Sequence, residues 1–251
     1  MKALYSITIM AAAVAPLTFS MPAQAGQMDS RIESSAQQSY VFKTYLKNDD
    51  IKIKSKDGAV TLTGTVAESF HKSLAQETVA DLPGVKSVDN RLETKNSPPT
   101  ANSDAWLRDK VKVTLSFHRS VSAVATEVDV RDGVVTLRGS AATMAQKDLT
   151  TEYARDVEGV KSVTNEMTVK AAPKAKRTVG EKIDDASITS QVKMTLLYHR
   201  STSALHTTVN TKRGVVTLNG TAKNAQEKDL ATKLARDVNG VKDVTNRMTI
   251  E

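Results

Sequence analysis

Asp57-Gly-Ala-Val-Thr-Leu-Thr-Gly64, Asp132-Gly-Val-Val-Thr-Leu-Arg-Gly139 and Arg213-Gly-Val-Val-Thr-Leu-Asn-Gly220 are one phrase written three times. The Asp-Gly or Arg-Gly step turns the chain tightly, because Gly58, Gly133 and Gly214 accept positive φ at little cost. The residues that follow alternate. Val60 and Leu62 point one way and Ala59 and Thr61 the other, and Val135 with Leu137 and Val216 with Leu218 repeat the pattern. This is a half-buried strand entered from a hairpin turn and closed by Gly64, Gly139 or Gly220. A second alternating run precedes it: Ile51 and Ile53, Val128 and Val130, Val209 and Thr211.

A second landmark keeps a fixed distance. Leu82-Pro-Gly-Val-Lys-Ser-Val88, Val157-Glu-Gly-Val-Lys-Ser-Val163 and Val238-Asn-Gly-Val-Lys-Asp-Val244 place Gly84, Gly159 and Gly240 each 26 residues after the turn glycine. The repeats recur at 75 and then 81 residues, too long for a solenoid unit and right for a small domain. Each opens with a helical stripe: Ile32, Ala36 and Tyr40; Leu107, Val111 and Leu115; Ile188, Val192 and Leu196. Ser103 or Asp104 is the N-cap expected in repeat two. A second helix after the hairpin carries Leu74, Thr78, Val79 and Leu82; Leu149, Tyr153, Ala154 and Val157; Leu230, Leu234, Ala235 and Val238. The landmark glycine is expected to cap its C-terminus. A last strand holds Asn90, Asn165 or Asn246 two residues beyond a core valine, turned towards the helices, where a structural bond to nearby backbone suits a buried amide.

The fold class is therefore α+β, with three αββαβ two-layer sandwiches in tandem, each two helices on a three-stranded mixed sheet. The expected division is a signal peptide over 1–25, domain 1 over 28–95, a proline-containing linker over 96–103, domain 2 over 104–170, a basic linker over 171–182 and domain 3 over 183–251. Each domain is expected to have its own core. Lys2, the apolar run from Ile7 to Leu17 and Ala23-Gln24-Ala25 compose the signal, with cleavage after Ala25 and export to the periplasm. The run is too short to span a bilayer. The chain has no cysteine, which excludes disulfides, thiolate metal sites and a lipidated cysteine.

The phrase Gly-Val-Val-Thr-Leu-x-Gly, the amphipathic helix and Gly-Val-Lys-x-Val-x-Asn resemble the BON-domain family, and in particular its osmotically inducible periplasmic type. All three repeats carry the marks. The resemblance implies a non-catalytic envelope protein that associates with phospholipid membranes or client proteins. Repeat one departs from the pattern in Ala59 and in its loop, which has six residues fewer between helix and turn than Phe117-His-Arg-Ser-Val-Ser-Ala-Val124 and Tyr198-His-Arg-Ser-Thr-Ser-Ala-Leu205 provide.

The residues offer little chemistry. His118 and His199 occupy equivalent loops of separate repeats, His206 shares a loop with His199, and His71 stands alone. No third ligand has metal-site spacing, so neither metal nor cofactor is expected. The His-Arg-Ser loops lack the acid that would orient a triad, and no nucleophile elbow, HExxH helix or phosphate loop is present. Asp49-Asp50 and Asp184-Asp185 suit helix dipoles or solvent better than acid–base work. Nucleic acid is excluded as a partner because aromatics are only 4% of residues and the strands form no stacking platform.

Binding remains. The formal charge is +7, of which Lys2 supplies one. Residues 26–100 and 101–170 each balance 10 basic against 10 acidic side chains, so the excess lies in the second linker and third repeat. Anionic phospholipid surfaces are the expected partner, with a chaperone for partly folded client envelope proteins as the alternative. The expected contact is a stripe of Trp106, Lys110, Val113 and Phe117 beside the core face of the first helix in repeat two, assisted by Lys174, Lys176, Arg177 and Lys182. Trp106 is the chain's only tryptophan, and Ser187 holds the matching place in repeat three.

Overall fold

The computed structural model describes residues 22–95, 100, 103–121, 123–170, 182–202 and 207–251. Residues 1–21 of the expected signal peptide and the basic linker residues Lys174, Lys176 and Arg177 lie outside the described residues, as does His206, whereas residues 22–25 fall within the first helix. Domain 1 comprises α1 (Pro22–Gln38), α2 (Tyr40–Thr44), β1 (Asp50–Lys56), β2 (Ala59–Val66), α3 (Ser69–Ala80) and β3 (Ser87–Thr94). Domain 2 comprises α4 (Asp104–Phe117), β4 (Thr126–Arg131), β5 (Val134–Ala141), α5 (Met144–Arg155), β6 (Ser162–Asn165) and β7 (Thr168–Val169). Domain 3 repeats this as α6 (Asp185–Tyr198), β8 (Thr207–Lys212), β9 (Val215–Ala222), α7 (Ala225–Asp237), β10 (Asp243–Asn246) and β11 (Thr249–Ile250).

In every sheet the second hairpin strand is central. It pairs antiparallel with the first strand and parallel with the last, in a register that sets Leu62 opposite Ile53 and Asn90, Leu137 opposite Val128 and Asn165, and Leu218 opposite Val209 and Asn246. The turn between the first two strands has positive φ at both central residues: 54° and 82° at Asp57 and Gly58, 53° and 78° at Asp132 and Gly133, 53° and 81° at Arg213 and Gly214. Those are the dihedrals of a type I′ hairpin, whose twist matches that of the flanking strands.

Each turn is held by a carboxylate of the first helix, at its first residue in domains 2 and 3 and in the interior of α1 in domain 1. Asp29 accepts hydrogen bonds from the N–H groups of Asp57 and Gly58, Asp104 from Asp132 and Gly133, and Asp185 from Arg213 and Gly214. The Ser55 hydroxyl and the Gly58 N–H hold the Asp29 carboxyl below its ordinary range, and the N–H groups of Gly133 and Asp132 do the same for Asp104. Asp185 is thus a turn clamp, and the neighbouring Asp184 is the N-cap of α6, accepting from Ser187 N. Ser103 caps α4 in the same way.

Two local expectations need correction. The landmark glycines do not cap the second helix. The helices α3, α5 and α7 end at Ala80, Arg155 and Asp237, and a separate turn follows in which the N–H of Val85, Val160 or Val241 donates to the carbonyl of Leu82, Val157 or Val238. The glycine is the third residue of that turn, with φ of 92°, 94° or 86°. A Cβ on Gly159 would lie 2.8 Å from Leu107 Cδ2, so the glycine also lets the first helix pack down against the turn. The second correction is at Leu149, which is exposed; Thr150, fully buried, faces the core in its place.

The cores are not separate either. Leu107, Val111, Leu115, Val135 and Leu137 fill domain 2, and Ile188, Val192, Leu196, Val216 and Leu218 fill domain 3. The core of domain 1, around Ile32, Leu62, Leu74 and Leu92, also takes in Val113 and Phe117 from α4 and Ala186 and Met194 from α6. Helix α6 is buried on every side from Ala186 to Val192, as befits a helix with neighbours all round.

The first helix of domain 1 is broken at Ser39, and the break serves this docking. Ser39 has extended backbone, with φ −61° and ψ 151°, and restarts the chain as the N-cap of α2. The N–H groups freed at the new helix start go to domain 3: Tyr40 N donates to Asp184 Oδ2 at 2.7 Å and Val41 N to Ser187 Oγ at 3.1 Å. Thr78 Oγ1 donates to Ser190 Oγ at 2.9 Å, and Lys193 Nζ lies 3.0 Å from both Glu77 and Asp81 carboxylates. Small side chains at Ser187 and Ser190 permit this close approach.

Candidate functional site

The expected lipid stripe on α4 does not face solvent. Val113 and Phe117 are 2% and 0% exposed within the core shared with domain 1, and Phe117 meets the Tyr45 ring edge-on at 5.4 Å. Lys110 is also buried. Its ammonium sits 4.0 Å from the Trp106 ring centroid, 5.1 Å from that of Tyr198 and 3.6 Å from Glu158 Oε2. Burial pushes the Lys110 ammonium below its ordinary value against the pull of Glu158. Trp106 is half-buried against the domain 2 core. The stripe is largely an interdomain seam: on a helical wheel it looks like a second apolar face, but domain 1 covers Val113 and Phe117, and Tyr198 of domain 3 lies beside Lys110.

The asparagines form one structural device. Nδ2 of Asn90, Asn165 and Asn246 donates to the backbone carbonyl of Lys72, Lys147 and Lys228 at 2.9, 3.0 and 2.9 Å, and a second bond goes to Gln76, Thr151 and Thr232. Each Oδ1 accepts from the N–H two residues on, at Leu92, Met167 and Met248. The amide ties the last strand to the helix above it.

The His-Arg-Ser loops meet across a pseudo-two-fold relation between domains 2 and 3. The backbone and arginine contacts recur with a shift of 81 residues. Asn239 N donates to Phe117 O at 2.9 Å and Glu158 N to Tyr198 O at 3.1 Å; Arg119 N donates to Asp237 O at 3.0 Å and Arg200 N to Asp156 O at 2.9 Å. The Arg119 guanidinium donates to the carbonyls of Arg236 and Val241, and that of Arg200 to Arg155 and Val160. These are carbonyls at and just beyond a helix C-terminus, which lack partners within the helix and favour a cation. The interface is thus isologous, with one surface used twice.

The histidines lie inside this clasp. His118 Nδ1 is 3.2 Å from Asp237 Oδ2 in ion-pair range, but neither ring nitrogen has a hydrogen-bond partner, and the ring stacks on Tyr153 at 3.9 Å. His199 Nε2 is 3.6 Å from Asp156 Oδ2. Burial pulls His199 below its ordinary value despite Asp156. Burial alone would raise the Asp237 carboxyl, but His118, Ser120 and Tyr153 beside it prevail and hold it below its ordinary value. Ser120 and His118 both approach Asp237, so the serine has the acid, not the imidazole, for a neighbour; the geometry is that of a joint, not of an activated nucleophile. His71 pairs separately with Asp49 at 2.6 Å, and no group of potential metal ligands occurs among the described residues.

One site open to a ligand is the turn end of domain 3. A cleft of about 800 Å³ is lined by Lys182, Ile183, Asp184, Asp185, Arg213, Gly214, Gly240 and Lys242. Both carboxylates are engaged inward, on the Arg213 turn, on Ser187 and on Tyr40. Lys182, Arg213 and Lys242 are exposed, and none of them is in an ion pair among the described residues. Sequence reading reached Lys182 but not the other two, because Arg213 and Lys242 come together with it only when the hairpin and the glycine turn lie side by side.

A family model described as BON domain matches residues 28–96, 103–171 and 184–251. The chain belongs to the BON-domain family. Its BON domains are 32% identical over 197 residues to osmotically-inducible protein Y of Escherichia coli strain K12, an alignment that covers 78% of this chain and 95% of that protein. A 21 kDa hemolysin of Actinobacillus pleuropneumoniae is 32% identical over 149 residues, 59% of this chain and 74% of the hemolysin. Among solved structures, CdsD, a structural protein of the type III secretion system of Chlamydia trachomatis, aligns over 88% of this chain with 18% identity and a TM-score of 0.25, too distant to bear on the arrangement of these BON domains. No helix among the described residues is long and apolar enough to cross a membrane.

Proposed function

We propose that this BON-domain chain is an exported, non-catalytic protein of the periplasm that serves the envelope under osmotic stress by binding anionic phospholipid surfaces. The stress role rests on the likeness to osmotically-inducible protein Y, and export on the N-terminal segment. One observation carries the lipid reading: Lys182, Arg213 and Lys242 stand exposed around the domain 3 cleft while its two carboxylates are turned inward. Basic residues close to an anionic membrane contribute about 1 kcal/mol each, and less as salt rises. The basic residues Lys174, Lys176 and Arg177 precede Lys182 in the sequence.

Flotation of the full chain with phosphatidylglycerol-containing and purely zwitterionic vesicles, at two salt concentrations, tests this reading. The expected result is binding to the anionic vesicles alone, weakened by salt and by the triple change Lys182→Gln, Arg213→Asp and Lys242→Gln. Aspartate is chosen at 213 because repeats one and two hold it at the same turn position. Trp106 emission should stay unchanged on binding, since that ring lies against its own core. Binding that ignores salt and the triple change, together with suppressed aggregation of an unfolded protein, would favour the chaperone reading instead.

A further inference from the structure

Three BON domains are present but only two of them clasp, and the residues at the joint say why. A clasp needs a loop and a receptor. The loop is Phe117-His-Arg-Ser120 or Tyr198-His-Arg-Ser201; its aromatic carbonyl accepts one bond, and its arginine donates through backbone and guanidinium. The receptor is the turn after the second helix, which presents carbonyls to the arginine and one N–H, that of Glu158 or Asn239, to the aromatic residue's carbonyl.

Domain 1 lacks both halves. Its loop is six residues shorter and contains no His-Arg-Ser. Its receptor turn has Pro83 where the others have Glu158 and Asn239, and proline has no N–H to donate. The turn itself is otherwise the same: Val85 N donates to Leu82 O at 3.2 Å, as Val160 does to Val157 and Val241 to Val238 at 3.2 Å, and Gly84 matches Gly159 and Gly240 in φ. The aspartate at the receptor persists as Asp81, but it is turned to Lys193. Domain 1 accordingly docks by a different surface, across α4 and α6.

We infer that the His-Arg-Ser loop and the non-proline receptor turn form a self-recognition surface whose partner is another BON domain carrying both halves. In this chain it directs domain 2 to domain 3 and excludes domain 1 from either pairing. The recognising element is the backbone: one N–H, the carbonyls near a helix end, and the arginine that satisfies them.

Domain 1 supplies a ready-made test, since its sequence shows that this turn accommodates proline. In the full chain, the double change Glu158→Pro and Asn239→Pro removes the two donors, and Glu158→Ala with Asn239→Ala keeps them. Hydrogen exchange at the Arg119 and Arg200 amides reads the clasp directly, because both donate across it. The proline pair should lose about tenfold or more of its protection there while circular dichroism stays unchanged, and the alanine pair should retain wild-type protection. Undiminished protection in the proline pair would overturn the inference, and an equal loss in the alanine pair would overturn it by moving recognition to the side chains. Should the proline pair fail to fold, Arg119→Gln with Arg200→Gln leaves both turns intact and must open the same amides; protection equal to wild type in that variant would refute the code.

Discussion

Replacing Phe117 by alanine separates the interdomain reading of α4 from a lipid-facing one. The side chain has no exposed surface and lies in a cluster that includes Val41, Phe42 and Leu46 of domain 1 and Met194 of domain 3. Truncating a buried phenylalanine costs about 3–5 kcal/mol, through lost transfer energy and the cavity left behind. The edge-on ring of Tyr45, whose hydroxyl donates to Ser116 O at 3.0 Å, is held in place and cannot close that cavity cheaply. The expected loss is therefore about 4 kcal/mol, a large part of the roughly 5–15 kcal/mol that holds a folded domain together. Urea unfolding of the full chain followed by Trp106 fluorescence measures it. Hydrogen exchange at residues 40–44 supplies the more telling readout: a substitution in domain 2 should loosen α2 of domain 1. A loss below about 1 kcal/mol, with exchange over 40–44 unchanged, would refute the shared core and return Phe117 to the surface.

Two further outcomes are expected. Asn246→Leu removes two donated bonds and the acceptor for Met248 N, and thermal denaturation should reveal a loss of about 1–3 kcal/mol. The clasp should weaken with acid in two steps. The folded state lowers the His199 value below the ordinary 6.5, so that residue's stabilising contribution is complete above about pH 6.5 and lost as pH falls below it; Asp237, lowered from 3.8, contributes above that value and loses its share as pH falls further. The thermal midpoint should fall between pH 7 and pH 5, and His199→Gln should flatten that part of the profile, whereas a midpoint that rises on acidification would contradict the assignment.

Much of each domain was legible in the sequence because its determinants are local. The type I′ turns are written in Asp57-Gly58, Asp132-Gly133 and Arg213-Gly214, and strand alternation placed Asn90, Asn165 and Asn246 under the helices before any coordinates. The candidate site was less legible. Trp106, Lys110, Val113 and Phe117 share a stripe by helical period, but period does not report what covers each of them, and the structure divides the apolar three between the cores of domains 1 and 2. The reading of His118 and His199 as residues of separate domains was sound chain by chain; that they share one joint follows from packing alone.

The sequence by itself therefore determined the number of repeats, the αββαβ order and the side each strand turns inward, since these rest on turn chemistry and on periods of two and 3.6 residues. The tertiary structure decided which faces are surface. Buried polar residues such as Ser187, Ser190, Gln191 and Thr195 look solvent-facing in a helical wheel, and the two serines are small enough to let neighbouring domains approach α6. Whether Lys110 meets a membrane or Tyr198, and whether Arg119 meets solvent or the end of α7, depends on contacts made across more than 80 residues of chain. Such contacts are selected by the shape and unpaired backbone groups of two finished domains, and no local pattern in either one records them.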